Sequence, residues 1–279
     1  MGRLRLLLIN YEYPPLGGGA ATATACLARE FRSLDVDVAV ITSTYADLPR
    51  RENHDGVEIV RVRALRRNAE RSNSLEMITF IVSASLHSLR FWRRWKPDAS
   101  VAFFGIPGGP VGLVLKWLHA TPYIVSLRGG DVPGHQPEQL AGYHRVTRRF
   151  IGFIWRRAHD VVANSEGLRE QAMTASPDVD ISIIQNGVDA ERFDPSSMAR
   201  KTDESPARIL FVGRVSYEKG LQYLLPALSE LNTAWRLTIV GHGPYADDVR
   251  AMSKSLGLEA SIDWAGWVDR EALPQFYRD

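Results

Sequence analysis

The 279-residue chain is long enough for one large domain or two modest ones, and 45% hydrophobic against 24% charged residues is a globular rather than a disordered balance. A formal charge of +2 gives no reason to expect bulk nucleic-acid binding. Cys26 is the single cysteine, which excludes a disulfide framework and a thiolate metal cluster and fits a reducing cytoplasm.

Arg3 and Arg5 precede the apolar run Leu6-Leu7-Leu8-Ile9, which is too short for a signal peptide and has no cleavage site after it. Short β-rich runs then alternate with helical periodicity, with strands expected at about 4–10, 36–42, 57–63, 99–104, 122–127, 159–163 and 181–184. Helices are expected at about 20–34, 74–94, 109–119, 135–157 and 165–175. Because the strands lack a polar face, the expected fold class is α/β, a parallel sheet with helices on both sides. The longest apolar stretch, Leu75 to Leu89, is interrupted by Glu76, Thr79, Ser83, Ser85 and His87. It falls short of the roughly 18–20 residues of a membrane span and reads as a buried or interfacial helix.

Three places in this first alternation invite chemistry. The first strand runs into Tyr13-Pro14-Pro15-Leu16-Gly17-Gly18-Gly19-Ala20 and then a small-residue helix, Ala21 to Ala25. Backbone N–H groups there can approach an anion or a sugar hydroxyl closely, although a tight turn alone gives the same pattern. The spacing is not G-x-G-x-x-G, and the second strand ends in Thr42-Ser43-Thr44 without a ribose-binding acid, which argues against nicotinamide chemistry. The strand near 122–127 ends in Ser126-Leu127-Arg128-Gly129-Gly130-Asp131. Arg128 and Asp131 either face a ligand at the carboxyl end of that strand or form a local salt bridge that holds the loop. Asn186-Gly187-Val188-Asp189 marks a turn after the last strand.

Arg61-Val62-Arg63 with Arg66-Arg67, and Arg90 to Lys96 with Phe91, Trp92 and Trp95, read either as solvated faces or as contacts to an anionic membrane surface. Asp35-Val36-Asp37 and Asp178-Val179-Asp180 imitate a metal motif but lie where a helix gives way to a strand. His87 and His119 lack ligand spacing, so no metal site is expected. No Ser–His–Asp order and no G-x-S-x-G elbow occurs.

The pattern breaks from Phe193 to Ala207, a polar, proline-bounded stretch that reads as a linker between domains spanning 1–200 and 207–279. A second alternation follows, with strands at about 207–212, 236–240 and 260–264 and helices at about 218–231, 244–256 and 269–277. A doubly wound domain has roughly five or six strands. The second domain is therefore expected to be incomplete, leaving Leu210, Val212, Ile239 and Val240 poorly covered. Its first strand, Arg208 to Val212, delivers the chain to Gly213-Arg214-Val215-Ser216-Tyr217-Glu218-Lys219-Gly220. An Arg that can fork onto two phosphate oxygens, a Lys acting as a point charge and a helix N-terminus are expected to make an oxyanion receptor, where an isolated pair of cations would be ordinary surface charge. Walker spacing is absent, because Lys219 precedes Gly220 and no Ser or Thr follows directly. Gly241-His242-Gly243-Pro244 closes the next strand at the same edge.

Taken together, these motifs resemble the family 4 glycosyltransferases, retaining enzymes of the GT-B fold. The matching pieces are Gly17-Gly18-Gly19, Ala163-Asn164-Ser165-Glu166, Ile184-Gln185-Asn186-Gly187-Val188-Asp189 with Phe193, Gly213-Arg214 to Lys219-Gly220, and Val240-Gly241-His242-Gly243-Pro244. The resemblance implies two Rossmann-like, doubly wound parallel-sheet domains, the second incomplete, with a nucleotide-diphosphate sugar as substrate and neither cofactor nor metal. By position, Arg214 and Lys219 would bind the donor diphosphate and stabilise its departure, and Gly17, Gly18 and Gly19 would line the site. Asp131, Asn186, Gly213 and Gly241 complete the implied donor- and acceptor-binding set. Many members carry a His-Gly pair where this chain has Arg128-Gly129. Arg cannot act as a base near neutral pH, so an electrostatic or donor-orienting role falls to Arg128. The family's acidic Glu-Gly-Phe-Gly loop does not occur before Asp279 and is expected beyond it, the chain being read as C-terminally truncated. The implied partners are a nucleotide sugar and a glycan, lipid-linked or small-molecule acceptor, with no nucleic acid, in the cytoplasm and at the inner face of the membrane. A nucleotide-sugar epimerase of the same fold and a non-catalytic nucleotide- or glycan-binding fragment are the alternatives.

Overall fold

Every apolar run expected as a strand forms one in the computed structural model, which describes residues 2–68, 72–134, 137–194 and 206–278. The chain divides into two units, Met1–Asn186 and Gly187–Asp279. In the first, β1 (Arg5–Ile9), β2 (Asp37–Ser43), β4 (Val57–Val62), β5 (Ala99–Phe103), β6 (Tyr123–Ser126), β7 (Asp160–Ala163) and β8 (Ser182–Ile183) pair in parallel. Antiparallel β3 (Arg51–His54) closes one edge, giving the order β3-β4-β2-β1-β5-β6-β7-β8. Successive strands run outward from β1 in one direction and then, from β5, in the other. The switch between β1 and β5 is where open α/β sheets take ligands, at the carboxyl ends of the strands.

Strand alternation supplies two apolar faces. Leu6 and Leu8 of β1 join Val38, Val40 and Ile59 on one side, under α1 (Gly19–Ser33). Leu7 and Ile9 join Ala39, Ile41 and Val60 on the other, under α2 (Ser74–Trp95) and α3 (Gly109–His119). With neither face polar, the sheet must be covered on both, which is the expectation of a helix-clad parallel sheet. A third cluster joins β6 and β7 to α4 (Pro137–Arg157) and α5 (Glu166–Ala175) through Val125, Ile154, Trp155 and Leu168. Entry to α2 is fixed by a capping box, in which the Asn73 side chain accepts from Glu76 N and the Glu76 carboxylate accepts from Asn73 N.

The antiparallel β3 is a departure from the all-parallel expectation. Its sequence, Arg-Glu-Asn-His, offers no apolar alternation, yet Asp55 and Gly56 take φ of 52° and 81° to make the hairpin turn into β4. The hairpin neutralises a buried cation. Arg61 of β4 is 4% exposed, pairs with Glu52 of β3 at 2.7 Å and donates from Nη2 to the Pro14 carbonyl.

In the second unit β9 (Ala207–Val212), β10 (Trp235–Val240) and β11 (Ile262–Gly266) form a parallel sheet in the order β11-β10-β9. Leu221, Leu225 and Leu228 of α6 (Leu221–Ser229) and Val249 of α7 (Ala246–Ser255) pack with Leu237 and Ile239. Ile239 and Val240 are therefore buried on the central strand, against the expectation of poor cover, while Leu210 and Val212 on β9 are half-buried. The division between units also falls ahead of the polar break. Arg192 donates to the Arg270 carbonyl at 2.6 Å, and Phe193 meets Tyr277 of α8 (Leu273–Arg278) edge-on. These contacts tie the segment after Asn186 to the second unit; the expected linker residues 195–205 lie outside the described residues.

Candidate functional site

In the first unit, loops at the carboxyl ends of β1, β6 and β8 carry the predicted residues. Asn10, fully buried, ties the exit of β1 to α1 by donating to Thr24 Oγ1 at 2.7 Å and to the Ala20 carbonyl. The loop then folds over Glu12. Gly17 sits at φ 83°, where a Cβ would run into the Glu12 carboxylate, so the turn requires glycine. Gly18 and Gly19 face open space, and no side chain caps the α1 N-terminus. That leaves backbone N–H groups and a positive helix end available to an anion.

Arg128 and Asp131 do not form the salt bridge that one reading expected. Gly129 and Gly130 turn the chain so that Asp131 folds underneath, 2% exposed, with its carboxylate accepting from Gly105 N at 2.6 Å and Arg128 N at 3.0 Å. Burial pushes the Asp131 carboxyl up, against the opposing pull of these backbone bonds and of Arg128. Asp131 therefore clamps the exits of β5 and β6 together from below and is a positioning residue. Its neighbour stands above it. The Arg128 guanidinium lies 4.9 Å over the Phe103 ring, and Nη1 donates to Asn186 Oδ1 at 2.8 Å, bringing two predicted site residues together. Nε is buried without a partner. Burial draws the Arg128 pKa down, opposed by Asp131, but a guanidinium stays charged and can serve only as a donor.

In the second unit the predicted glycines do steric work. A Cβ on Gly241, at φ 132°, would collide with the Gly213 carbonyl, and one on Gly243 would collide with that of Val215. Val215 N donates to the His242 carbonyl and Tyr245 N to the Val215 carbonyl, each at 3.1 Å. The loop after β9 is thus laced to the loop after β10. On this base Tyr217–Lys219 form one 3-10 turn closed by Gly220, so α6 begins at Leu221 rather than near 218. The side chains of Arg214 and Lys219 are exposed and form no ion pair or hydrogen bond among the described residues. Glu218 stands between them. Burial works to raise its carboxyl, but the Ser216 hydroxyl bond at 2.6 Å, its own backbone N–H and the charges of Arg214 and Lys219 hold it below the usual glutamate value. Both cations therefore lie within electrostatic reach of the Glu218 carboxylate. The Ser216–Glu218 lock is absent from the sequence reading; a Ser-x-Glu step directly after a strand-ending glycine and arginine is the signal that could have found it.

The first basic cluster is split: Arg61 and Arg66 are internal, while Arg63 and Arg67 are exposed. Arg61 is paired with Glu52, and Arg66 donates from Nη1 to the Tyr11 carbonyl at 3.0 Å and from Nε to the Asn68 carbonyl at 2.9 Å. Asp35 and Asp37 are engaged by Arg3 and Arg32, and Asp178 by Arg156, as surface and turn contacts.

Residues 18–187 match the profile of the glycosyl transferase 4-like domain, and residues 194–279 match that of the glycosyl transferases group 1. An uncharacterized glycosyltransferase of Methanocaldococcus jannaschii is 26% identical, with the alignment spanning 99% of this chain and 72% of the relative. A glycogen synthase of Mycobacterium tuberculosis is 25% identical across 97% of this chain and 69% of its own length. Among solved structures, a sucrose-phosphate synthase from Thermosynechococcus elongatus aligns with a TM-score of 0.81 at 16% identity, covering 99% of this chain and 73% of that one. HepE from Anabaena, solved in complex with UDP and glucose, aligns at 0.67 and 17% identity over 98% of this chain and 71% of its own. The fold these likenesses give is GT-B, in agreement with two Rossmann-like units.

Proposed function

Because the chain belongs to the glycosyl transferase 4-like family and is a glycosyltransferase, we propose that it moves a hexosyl group from a nucleotide-diphosphate sugar to an acceptor hydroxyl, with Arg214 and Lys219 holding the diphosphate. The observation that carries this reading is a pair of free, exposed cations flanking one carboxylate on a loop locked by glycine contacts. As the donor bond breaks, negative charge grows on the leaving diphosphate. An arginine fork and an ammonium already in place stabilise that charge without reorganisation. The α6 N-terminus, uncapped by any side chain, adds to the same field.

This supply of positive charge supports transfer without a metal ion. Transfer proceeds with retention, the leaving phosphate assisting removal of the acceptor proton, which suits an edge that offers no pair of opposed carboxylates. Arg128, tethered by Asn186 and Phe103, orients or neutralises an anionic group and takes no proton. The acceptor is a glycan, lipid-linked or small-molecule hydroxyl, and the chain works in the cytoplasm at the inner face of a membrane. Complexes of HepE with UDP, glucose and UDP-glucose support a nucleotide sugar as the donor.

Calorimetric titration with UDP, GDP and ADP, followed by assays of donor hydrolysis and transfer, tests the reading. One nucleoside diphosphate should bind at micromolar concentration and its sugar conjugate should turn over. Binding without hydrolysis or transfer would leave a nucleotide-binding module, and no binding by any of the three would remove the diphosphate assignment.

A further inference from the structure

The outer face of α2 has the wrong chemistry for solvent. A surface helix of a globular protein normally carries one apolar stripe toward the core and polar residues opposite. Here Phe80, Ala84 and Phe91 face the sheet, yet Leu75, Ile78, Val82 and Leu86, spaced three and four apart on the opposite side, are 54–60% exposed. Exposed apolar residues aligned in this way mark an interaction surface. The aromatic residues of the second basic cluster do not contribute to it. Phe91 is buried, and Trp92 stacks on His119 with ring centroids 3.8 Å apart.

The patch continues onto neighbouring helices. α3 packs against both α2 and α4. Trp117 of α3 is 59% exposed and meets Phe153 of α4 edge-on at 6.1 Å, and Val146 and Phe150 of α4 are 81% and 46% exposed. Exposed charge on the described side chains of this face has one sign. Arg90, Arg93, Arg94, Arg145 and Arg149 are exposed and form no ion pair or hydrogen bond among the described residues. On the described side chains of the three helices the one carboxylate is Glu76, which is 3% exposed and engaged in the capping box. Arg156 is committed to Asp178. His87, between the α2 cations, has its pKa lowered first by burial and then by Arg51, Arg90 and Arg94, against an opposing pull from Glu58.

We propose that the outer face of α2, α3 and α4 docks on a lipid bilayer containing anionic headgroups. The apolar line from Leu75 to Leu86 enters the headgroup–acyl boundary while the arginines of α2 and α4 meet phosphates. Apolar side chains with interspersed cations, and no exposed acid among the described side chains of the three helices, complement such a surface in both respects. A second copy of this chain complements it poorly, because a two-fold contact places the same unpaired arginines opposite one another. No described helix is long and apolar enough to cross a membrane, so contact would be peripheral. The proposal adds a partner to the transferase reading and rests on it only for the leaflet.

Flotation of the full chain with phosphatidylcholine vesicles, with and without phosphatidylglycerol, tests it. Binding should require the anionic lipid and weaken with salt. Val82→Glu with Leu86→Glu, and separately Arg90→Ala with Arg93→Ala and Arg94→Ala, should each lower the partition coefficient. Three lost cations correspond to a drop on the order of 100-fold. These positions are exposed, so both variants should unfold at the wild-type urea midpoint and titrate with UDP as wild type does. Equal flotation of wild type and both variants, or no flotation on anionic vesicles, would overturn the proposal. So would a lipid-free dimer, seen by sedimentation, that V82E/L86E dissociates. Loss of UDP binding with flotation intact would count against the donor site alone.

Discussion

Two basic segments at the carboxyl edges of sheets look alike in sequence, but the first buries two of its four arginines where the second exposes both of its cations. Residues 61–67 of the first unit hold Arg61 and Arg66 in the interior, 4% and 9% exposed, with guanidinium bonds to Glu52, Pro14, Tyr11 and Asn68. Residues 214–219 of the second unit hold Arg214 and Lys219 in solvent with no partner but the field of Glu218. In the first segment charge serves the fold, because a buried guanidinium has to find acceptors. In the second the fold serves charge, since the glycine-laced loop fixes cations that bond nothing around them. A cation left without partners on a rigid base is available to a ligand; one with every neighbour committed is not.

The contrast is tested hardest at Arg61. Arg61→Ala should destabilise the first unit by about 4 kcal/mol in urea unfolding, because it strands a largely buried carboxylate and a carbonyl, and should leave UDP affinity unchanged in the folded protein. The effect has a pH signature. Burial works to raise the Glu52 carboxyl, but bonds from His54 and Arg61 hold it below its ordinary 4.5. A depressed carboxyl stabilises the fold above the unfolded pKa, and that stabilisation is lost as pH falls through the folded value. The gap between wild type and variant should therefore be widest near neutrality and narrow below 4.5. A gap that grew in acid would contradict the ion pair.

Gly241 comes next. Gly241→Ala places a Cβ against the Gly213 carbonyl at a φ of 132°, which should cost about 3 kcal/mol through strain and displacement of the loop. Unlike Arg61→Ala, it should also weaken UDP binding, at least tenfold, because it moves the base on which Arg214 stands. Arg214→Ala reverses the pattern seen at Arg61. Stability should stay within about 0.5 kcal/mol, while UDP affinity falls by about 1–3 kcal/mol if the residue makes a charge-assisted bond. Unfolding curves paired with calorimetry on the same preparations separate the three cases, and an unchanged UDP affinity in Arg214→Ala would undo the diphosphate assignment.

What was legible in the sequence follows from how local each feature is. Strands such as Leu6–Ile9 and Val38–Ile41 announced a two-faced sheet because each residue needs only its own neighbours to show burial. The strand end and turn of 213–220 were legible because strand, glycine, cations and turn fall within one short segment. The β3 strand was missed because four polar residues carry no period, although Asp55-Gly56 marks its turn. The role of Asp131 was legible only in part, as a residue holding its own loop. It depends on Gly105, 26 positions away, arriving beneath the loop. The division at Asn186 was not legible for the same reason, since composition reveals the polar stretch but not the contact of Phe193 with Tyr277.

The finest test concerns the carboxylate between the cations. Glu218 lies close enough to Arg214 and Lys219 for both to lower its pKa, and it accepts from Ser216. If the pair exists to hold a diphosphate, Glu218 competes with the ligand for the same charge, and Glu218→Gln should tighten UDP binding. The group is exposed, so screening keeps the effect to about 0.5 kcal/mol, roughly a twofold gain at low ionic strength that fades as salt is raised. Stability should hardly change, because glutamine can still accept from Ser216. If UDP affinity instead fell in Glu218→Gln, the carboxylate would be orienting the cations rather than competing for them, and the second unit's segment would be closer in kind to the Arg61 segment than the present contrast allows.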